Sequence, residues 1–575
     1  DLSFKLTFLR VTRYQPLMTK RKKLTALAFL AIFTLGAFFR LVGLNWDQDQ
    51  HLHPDERFLT MVGMDIKWPK NIKEYFNTRL SPLNPYNQGH SFFVYGTLPL
   101  FLNKKLALLL NHDNYDDFNL LGRQLAAFFD LGTLILVGIS AKKLLPGKNW
   151  LWAPFFYSIS VLPIQLAHFF TVDPFLNFFL FLCFWFLLKN HSCPKKKIFL
   201  ALAGVALGLA FASKITALFF APIVAIFLIA KNKTHFKKLL ADSLAFLLPF
   251  LITIRFFQPY AFLDLFTPNP QFVQNLLENQ RLINTPNFHF PPALQWIGTI
   301  PILFPLKNIV LYGLGAPLGI IVFTAIFLFP LKIKKLSAKE RLPLFLSWFF
   351  ILFLLIIQGS QFNKTIRYFL PLYPHLCLLG GYFLAFFAFS KKKRGRVLKK
   401  IILVLLVSFW PFSFLRIYLE PHPRLAASEW IYQNVPAGSI LTCEYWDDCL
   451  PLPLDREKNI ENFEYKIETI KPFDKESKIK QKTREEQLKK VDYLILSSNR
   501  AWKPISQNAY HYPQTAQFYQ DLFSQQLGWQ KVAEFTSFPG FPPIGKPWIV
   551  FPDQNADETF TVYDHPQVII FQKVQ

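Results

Sequence analysis

Lys20-Arg21-Lys22-Lys23 opens an apolar run over 24–44, which leads into Trp46-Asp47-Gln48-Asp49-Gln50-His51-Leu52-His53-Pro54-Asp55-Glu56-Arg57. The run has the length that spans a hydrocarbon core, and its basic flank lies on one side only. Four carboxylates, two histidines and an arginine then sit where the chain leaves the membrane. Acidic groups at a bilayer face are costly to desolvate, so the cluster points to chemistry or ion handling.

Ten further apolar runs follow, at about 120–141, 149–166, 174–189, 198–212, 215–230, 239–256, 311–330, 343–358, 367–389 and 401–418. The expectation is a polytopic α-helical membrane protein with about 11 transmembrane helices. Of its 575 residues, 52% are hydrophobic and 66 are Phe, which suits lipid-facing helices. The net charge of +26 would suggest nucleic acid, but its distribution does not. Six short segments, 1–23, 142–148, 189–197, 231–238, 332–341 and 391–400, hold 30 Lys or Arg against two acids. Residues 420–575 hold 17 basic and 21 acidic residues, a net of −4. Basic loops between apolar runs mark the cytoplasmic side, so a nucleic-acid partner is not expected. Alternation of sides then puts the basic N-terminus 1–23 in the cytoplasm. It puts the long loops 45–119 and 257–310 and the whole of 419–575 outside, on a cell membrane. Within the first loop, 57–68 reads as a stretch that lies amphipathically on the membrane.

After a membrane domain over 24–418, residues 419–575 read as an extracytoplasmic α/β domain. Leu425–Asn434 looks helical, while 439–443, 491–497 and 568–571 have strand length and composition. Residues 455–490 read as solvated helix or loop. Cys443 and Cys449 fall where a disulfide is permitted, and sequence leaves open whether they pair. The first run lacks a small-residue cleavage site, so no cleavable signal peptide is expected. Met18 directly precedes the basic cluster, which marks the first 17 residues as dispensable.

Several residues have the chemistry for a site. Asp55-Glu56 is either a general base with its neighbour or a solvated acidic loop, and mutual repulsion would raise one pKa. Asp47, Asp49, His51 and His53 admit a divalent metal, on the weak signal of a His-x-His loop. Asp173, before Pro174, is either a second site acid or a helix cap. Arg123 and Asp130 lie seven apart inside the second run, on one helix face, and should point inward and pair. Lys214, Arg255 and Arg367 are cations at outside helix ends. They suit a phosphate, or else they snorkel to headgroups. No nucleotide-binding loop and no Ser-His-Asp order is present.

His53-Pro54-Asp55-Glu56, Gly122-Arg123, Phe170-Thr171-Val172-Asp173, Ala212-Ser213-Lys214 and Arg367-Tyr368-Phe369-Leu370-Pro371-Leu372-Tyr373-Pro374 occur in this order, all on the outside. Through them the chain, over about 20–418, resembles the GT-C membrane glycosyltransferases, the relatives of protein O-mannosyltransferase and aminoarabinose transferase. The resemblance implies GT-C architecture. It implies transfer of a sugar, with inversion, from a polyprenyl-phosphate donor to an acceptor hydroxyl on lipid, glycan or protein. Asp55 would be the base, Glu56 its support and Asp173 a second acid near the site. Lys214 and Arg367 would hold the donor phosphate. Arg123 matches an arginine of the family's second helix, with a donor-phosphate or structural role, and Arg255 joins the phosphate set as an outside cation. His51-Leu52-His53 departs from the family pattern and leaves the acceptor open. A lipid or sugar transporter or flippase is the rival reading, although internal repeats and broken mid-membrane helices are not evident.

Overall fold

The computed structural model describes residues 20–145, 147–233, 235–286, 290–386, 393–454 and 465–574. Expectations for 1–19, 387–389, 391–392 and 455–464 lie outside the described residues. α1 (Lys20–Leu41) is the first span. The long loop expected after it contains three helices, α2 (Pro54–Asp65), α3 (Ile72–Phe76) and α4 (Thr97–Leu110). α4 is apolar and exposes Leu108, Leu109 and Leu110, but its 14 residues fall short of a span. α5 (Tyr115–Leu144) begins earlier than its apolar run, because its first turn is polar. Asn114 caps it by accepting from the Asp117 amide at 3.0 Å. Asp116 and Asp117 in its first turn and Lys142 and Lys143 in its last match the helix dipole.

The third run is two helices, α6 (Trp152–Ser158) and α7 (Val161–Ala167), bent by 50° at the break. α8 (Asp173–Ser192), α9 (Ile198–Ser213), α10 (Ala221–Asn232) and α11 (Phe236–Phe257) follow. α12 (Pro270–Asn284) and α13 (Leu303–Asn308) occupy the second long loop. α14 (Ala316–Lys332), α15 (Ala338–Gly359), α16 (Tyr373–Phe386) and α17 (Lys393–Phe414) complete the bundle. Among the described residues nine helices are long and apolar enough to cross a membrane, or ten with the bent pair, and α9 is a shorter apolar helix. The eleven expected runs thus fall on helical chain, the third on the bent pair and the tenth as far as Phe386 among the described residues.

Small residues let two of these helices touch. Gly204 and Gly208 of α9, four apart, face α11, where an added Cβ would lie 2.1 Å from the Phe246 carbonyl and 2.6 Å from Thr253. Deeper in the bundle, Asp130 of α5 pairs with Arg40 of α1 at 2.5 Å and accepts from the Tyr157 hydroxyl. Asp130 therefore does not pair with Arg123, and its cation comes from a helix ninety positions earlier.

The C-terminal part starts with α18 (Pro423–Asn434) and holds a five-stranded sheet. In chain order come β1 (Ile440–Glu444), β2 (Lys466–Ile470), α19 (Lys478–Lys490), β3 (Tyr493–Leu496), α20 (Trp502–Gln507), α21 (Pro513–Phe523) and β4 (Trp529–Phe535). A two-stranded hairpin, β5 (Gly540–Phe541) and β6 (Ile549–Val550), then α22 (Glu558–Thr561) and β7 (Val568–Lys573) end the described chain. The sheet order is β2-β1-β3-β7-β4, with β1 parallel to β2 and β3, and β7 antiparallel to β3 and β4. Leu494 and Leu496 pack with α20 and α21, while Tyr493 and Ile495 join the apolar core that continues into the membrane bundle. Cys443 and Cys449 form a disulfide.

Residues 553–565 lock this part onto the bundle. His565 lies between Asp553 at 2.9 Å and Asp564 at 2.5 Å. Burial alone would lower its pKa, but the two carboxylates raise it to about 10, so the imidazole is charged. Asp564 also accepts from Gln165 of α7 and from the Tyr418 hydroxyl, and Asp557 accepts from the Ile366 amide at 3.0 Å.

Candidate active site

α2 starts with His53 as its cap and Pro54 in its first turn, which fixes the direction of the two residues that follow. Successive helical residues point about 100° apart, and Asp55 and Glu56 diverge accordingly. Glu56 turns into the protein and is fully buried. Asp55 turns into a cavity of about 570 Å³.

Behind Asp55, Arg123 is gripped by two carboxylates. Its Nε and Nη2 donate to Glu56 at 2.9 and 2.7 Å, and its Nη1 and Nη2 donate to Asp47 at 2.8 and 2.9 Å. The Leu44 carbonyl accepts a further bond from Nη1 at 3.0 Å. A guanidinium has five N–H groups, and all five are used. Gly122 lets Phe170 approach, since an added Cβ would lie 2.2 Å from its ring. The Phe170 amide then donates to Glu56 at 2.5 Å. Burial pushes the Glu56 pKa up, and Arg123 only partly opposes this. Burial would also raise Asp47, but Arg123 overrides it and holds the group at about 2. Arg123 and Glu56 do not line the cavity. This corrects the expectation of Arg123 as a phosphate contact, because no donor is left to offer.

In front, Asp55 meets Arg367 at 2.5 Å. Burial would raise the Asp55 pKa, but Arg367 overrides it and holds the carboxyl at about 2. The two acids of the dipeptide are thus separated by their cations and burial rather than by mutual repulsion. Lys214 pairs with Asp173 at 2.7 Å and lies 4.3 Å from the Tyr368 ring centre. The Tyr368 ring stands between two spaces: the Asp55–Arg367 cavity, and a small apolar pocket lined by Asp173, Lys214, Leu180, Phe219, Phe350 and Leu354. Asp173 is not a helix cap. The α8 cap position is Val172, and the Asp173 carboxylate goes to Lys214.

Arg255 stands apart. It is sandwiched by Phe76 at 4.6 Å and Phe262 at 6.0 Å, lines neither space, and its Nε and Nη1 lack partners among the described residues. The metal expectation also meets a different geometry. Asp47 is held by Arg123, and His51 contacts Asp116 at 3.0 Å. His53 caps α2 by accepting from the Asp55 amide, its ring between Phe169 and Tyr563. Among the described residues no group of three or more His, Cys, Asp or Glu is arranged to hold a metal ion. Asp47, Asp49, His51 and His53 therefore do not fit one.

The opposite wall comes from the C-terminal part and was not read from the sequence. Arg424 pairs with Asp447 at 2.5 Å and with Asp448 at 2.7 Å, and Asp448 also takes Arg57 of α2 at 2.8 Å. Trp446, Arg500 and Tyr563 complete this side. The acidic pair between Cys443 and Cys449 was the one visible signal.

A family model described as dolichyl-phosphate-mannose-protein mannosyltransferase matches residues 122–261, which include Arg123, Asp173 and Lys214. No protein of curated function matches the chain by sequence. The oligosaccharyltransferase of Archaeoglobus fulgidus in its apo form has a similar structure: TM-score 0.50, 13% identity, 86% of this chain and 72% of that chain covered. ArnT from Cupriavidus metallidurans, solved with undecaprenyl phosphate, gives TM-score 0.41 and 14% identity over 72% of each chain. The S. cerevisiae Pmt1–Pmt2 protein O-mannosyltransferase complex, solved with its sugar donor, gives TM-score 0.32 and 18% identity over 42% of this chain and 34% of that one. A mannosyltransferase family model thus spans α5 to α11, and most of the chain shares the polytopic membrane fold of that oligosaccharyltransferase.

Proposed function

We propose that the protein transfers a sugar from a polyprenyl-phosphate carrier to an acceptor hydroxyl in the Asp55 cavity, with inversion. The observation that carries this reading is the Asp55–Arg367 contact inside the cavity, with Lys214–Asp173 across Tyr368 beside an apolar pocket. The name of the matching family model supports a polyprenyl-phosphate donor. The lipid phosphate sits by Arg367 and Lys214, and its first apolar unit enters toward Leu180, Phe219 and Phe350.

A carboxylate held at about 2 is a weak base. Arrival of a phosphate at Arg367 changes that, because the cation then serves two anions. Burial, the larger influence on Asp55, raises its pKa toward the range a general base needs. Asp55 takes the proton of the acceptor hydroxyl, and the oxygen attacks the anomeric carbon from the side opposite the phosphate. The carbon–oxygen bond to phosphate breaks and the lipid phosphate leaves with the electron pair. Arg367 and Lys214 balance its charge. The acceptor approaches from the wall of Trp446, Arg424 and Arg500. The basic loops support placing this face outside the cell membrane, with the N-terminus inside and the boundary of the outer domain near 419.

The test is transfer of radiolabelled sugar in membranes from a panel of polyprenyl-phosphate sugars, with Asp55→Asn alongside. Transfer from one donor that vanishes in the variant is the expected result. No transfer from any donor by folded protein, with cell extract supplying acceptors, would overturn the reading in favour of transport.

A further inference from the structure

The hairpin of β5 and β6 carries a run of exposed apolar side chains. Ile544 is 74% exposed and Trp548 81%, and Ile549 and Val550 are also exposed. Between Gly540 and Val550 there is no acidic residue and one cation, Lys546. A soluble outer domain has no reason to show water such a tip.

Its position in the molecule explains the composition. On α17, Val397, Leu398, Ile401, Ile402, Leu405 and Leu406 are all exposed. Their spacing draws one stripe along the helix, and α17 is apolar enough to cross a membrane, so the stripe faces lipid. The next step of that stripe is Phe409, and there the hairpin covers it. Phe541 meets Phe409 at 5.0 Å, and Phe551, just after β6, meets Phe409 at 5.8 Å and Trp410 at 5.9 Å. Arg416 fastens the tip by donating to the Gly545 carbonyl at 2.6 Å. Phe409 lies about 8 Å along the axis from the end of α17 at Phe414. With the end of α17 taken as the headgroup level, a hairpin packed on Phe409 lies at the boundary between acyl chains and headgroups.

We infer that residues 540–550 form a bilayer anchor: Ile544, Trp548 and Ile549 enter the outer edge of the hydrocarbon and Lys546 meets lipid headgroups. Trp is favoured at that depth because its ring is apolar and its N–H stays near water. The occupant of this surface is lipid, since the hairpin continues a face of α17 that is itself lipid-facing. The inference is independent of the donor, the acceptor and the role of Asp55.

The test uses the full chain with p-benzoylphenylalanine at position 548, reconstituted in vesicles of phosphatidylcholine and phosphatidylglycerol with radiolabelled acyl chains. Ile479, 78% exposed on α19, is the control position. Trp548 is 81% exposed, and its edge-on ring contact with Phe541 at 6.2 Å is one that another aromatic side chain can keep. After irradiation, lipid label at 548 should exceed that at 479 severalfold, because aromatic side chains at the membrane interface sit at headgroup level. Equal labelling at the two positions would overturn the inference, and so would a cross-link from 548 to a second copy of the chain.

Discussion

Asp55 and Glu56 are adjacent in the chain and each meets an arginine, yet the two pairs differ in almost every physical respect. Arg123 is fully buried, takes two carboxylates and a carbonyl, and has no N–H left. Arg367 and Asp55 are 18% and 20% exposed at the edge of a cavity, and that contact leaves capacity for a third partner. A saturated pair holds structure. An unsaturated pair beside empty space is poised to exchange partners. Residue type alone does not tell them apart, because the count of donors used separates them.

The sharpest way to break this comparison is Asp55→Asn. Loss of a general base should lower kcat/KM for sugar transfer by about 10²–10⁴-fold, with the thermal unfolding midpoint in detergent retained. Transfer within a few-fold of the parent would make Asp55 a wall residue. Arg123→Ala tests the other side. Leaving Asp47 and Glu56 buried without their cation should cost about 3–5 kcal/mol of stability. An unfolding curve matching that of Arg367→Ala would erase the distinction.

Arg367→Ala should act on binding and on pH together. Loss of a charge-assisted contact to phosphate should raise the donor KM by about 10–100-fold. Without Arg367, burial is opposed only by the weaker influences of His53 and Tyr95, and the Asp55 pKa rises from about 2. A base with a raised pKa is protonated at higher pH, so the acid limb of the kcat/KM profile should move upward. An unmoved limb would mean that Asp55 is not the group being read. The smallest effect belongs to Arg255→Ala, which should change the donor KM by less than about twofold, since Arg255 touches neither space.

The membrane spans were legible because length and apolar content suffice to define them, and because basic loops mark their ends. Lys214 and Arg367 stood out in the sequence because cations at outside helix ends run against the positive-inside bias, and Asp55 and Asp173 because acids at a membrane face are costly to desolvate. The partners of Arg123 and Asp130 were not. Two charges seven apart on a helix suggest each other, and only the fold shows that Arg40 and Asp47 lie closer. Strand visibility followed position in the sheet. β3 and β7 are central and buried, so they read as apolar runs, and β1 has a clear turn before it. β2 and β4 are the two edges, with mostly exposed or half-buried residues such as Lys466, Glu468, Gln530 and Lys531, and gave no apolar signal. The cavity wall around Trp446 was missed because its residues assemble from separate elements.

The lock formed by residues 553–565 bears on when the protein becomes competent. Asp564 reaches a glutamine 399 positions earlier, and Asp557 reaches a backbone amide 191 positions earlier. Thr559 and Tyr563 from the same stretch line the cavity beside Asp55. During synthesis the spans enter the membrane long before these residues leave the ribosome. A partly made chain thus already carries Asp55, Lys214 and Arg367 but lacks one wall of the cavity. Under the proposed function, sugar transfer then begins only once the C-terminal part has docked on the bundle.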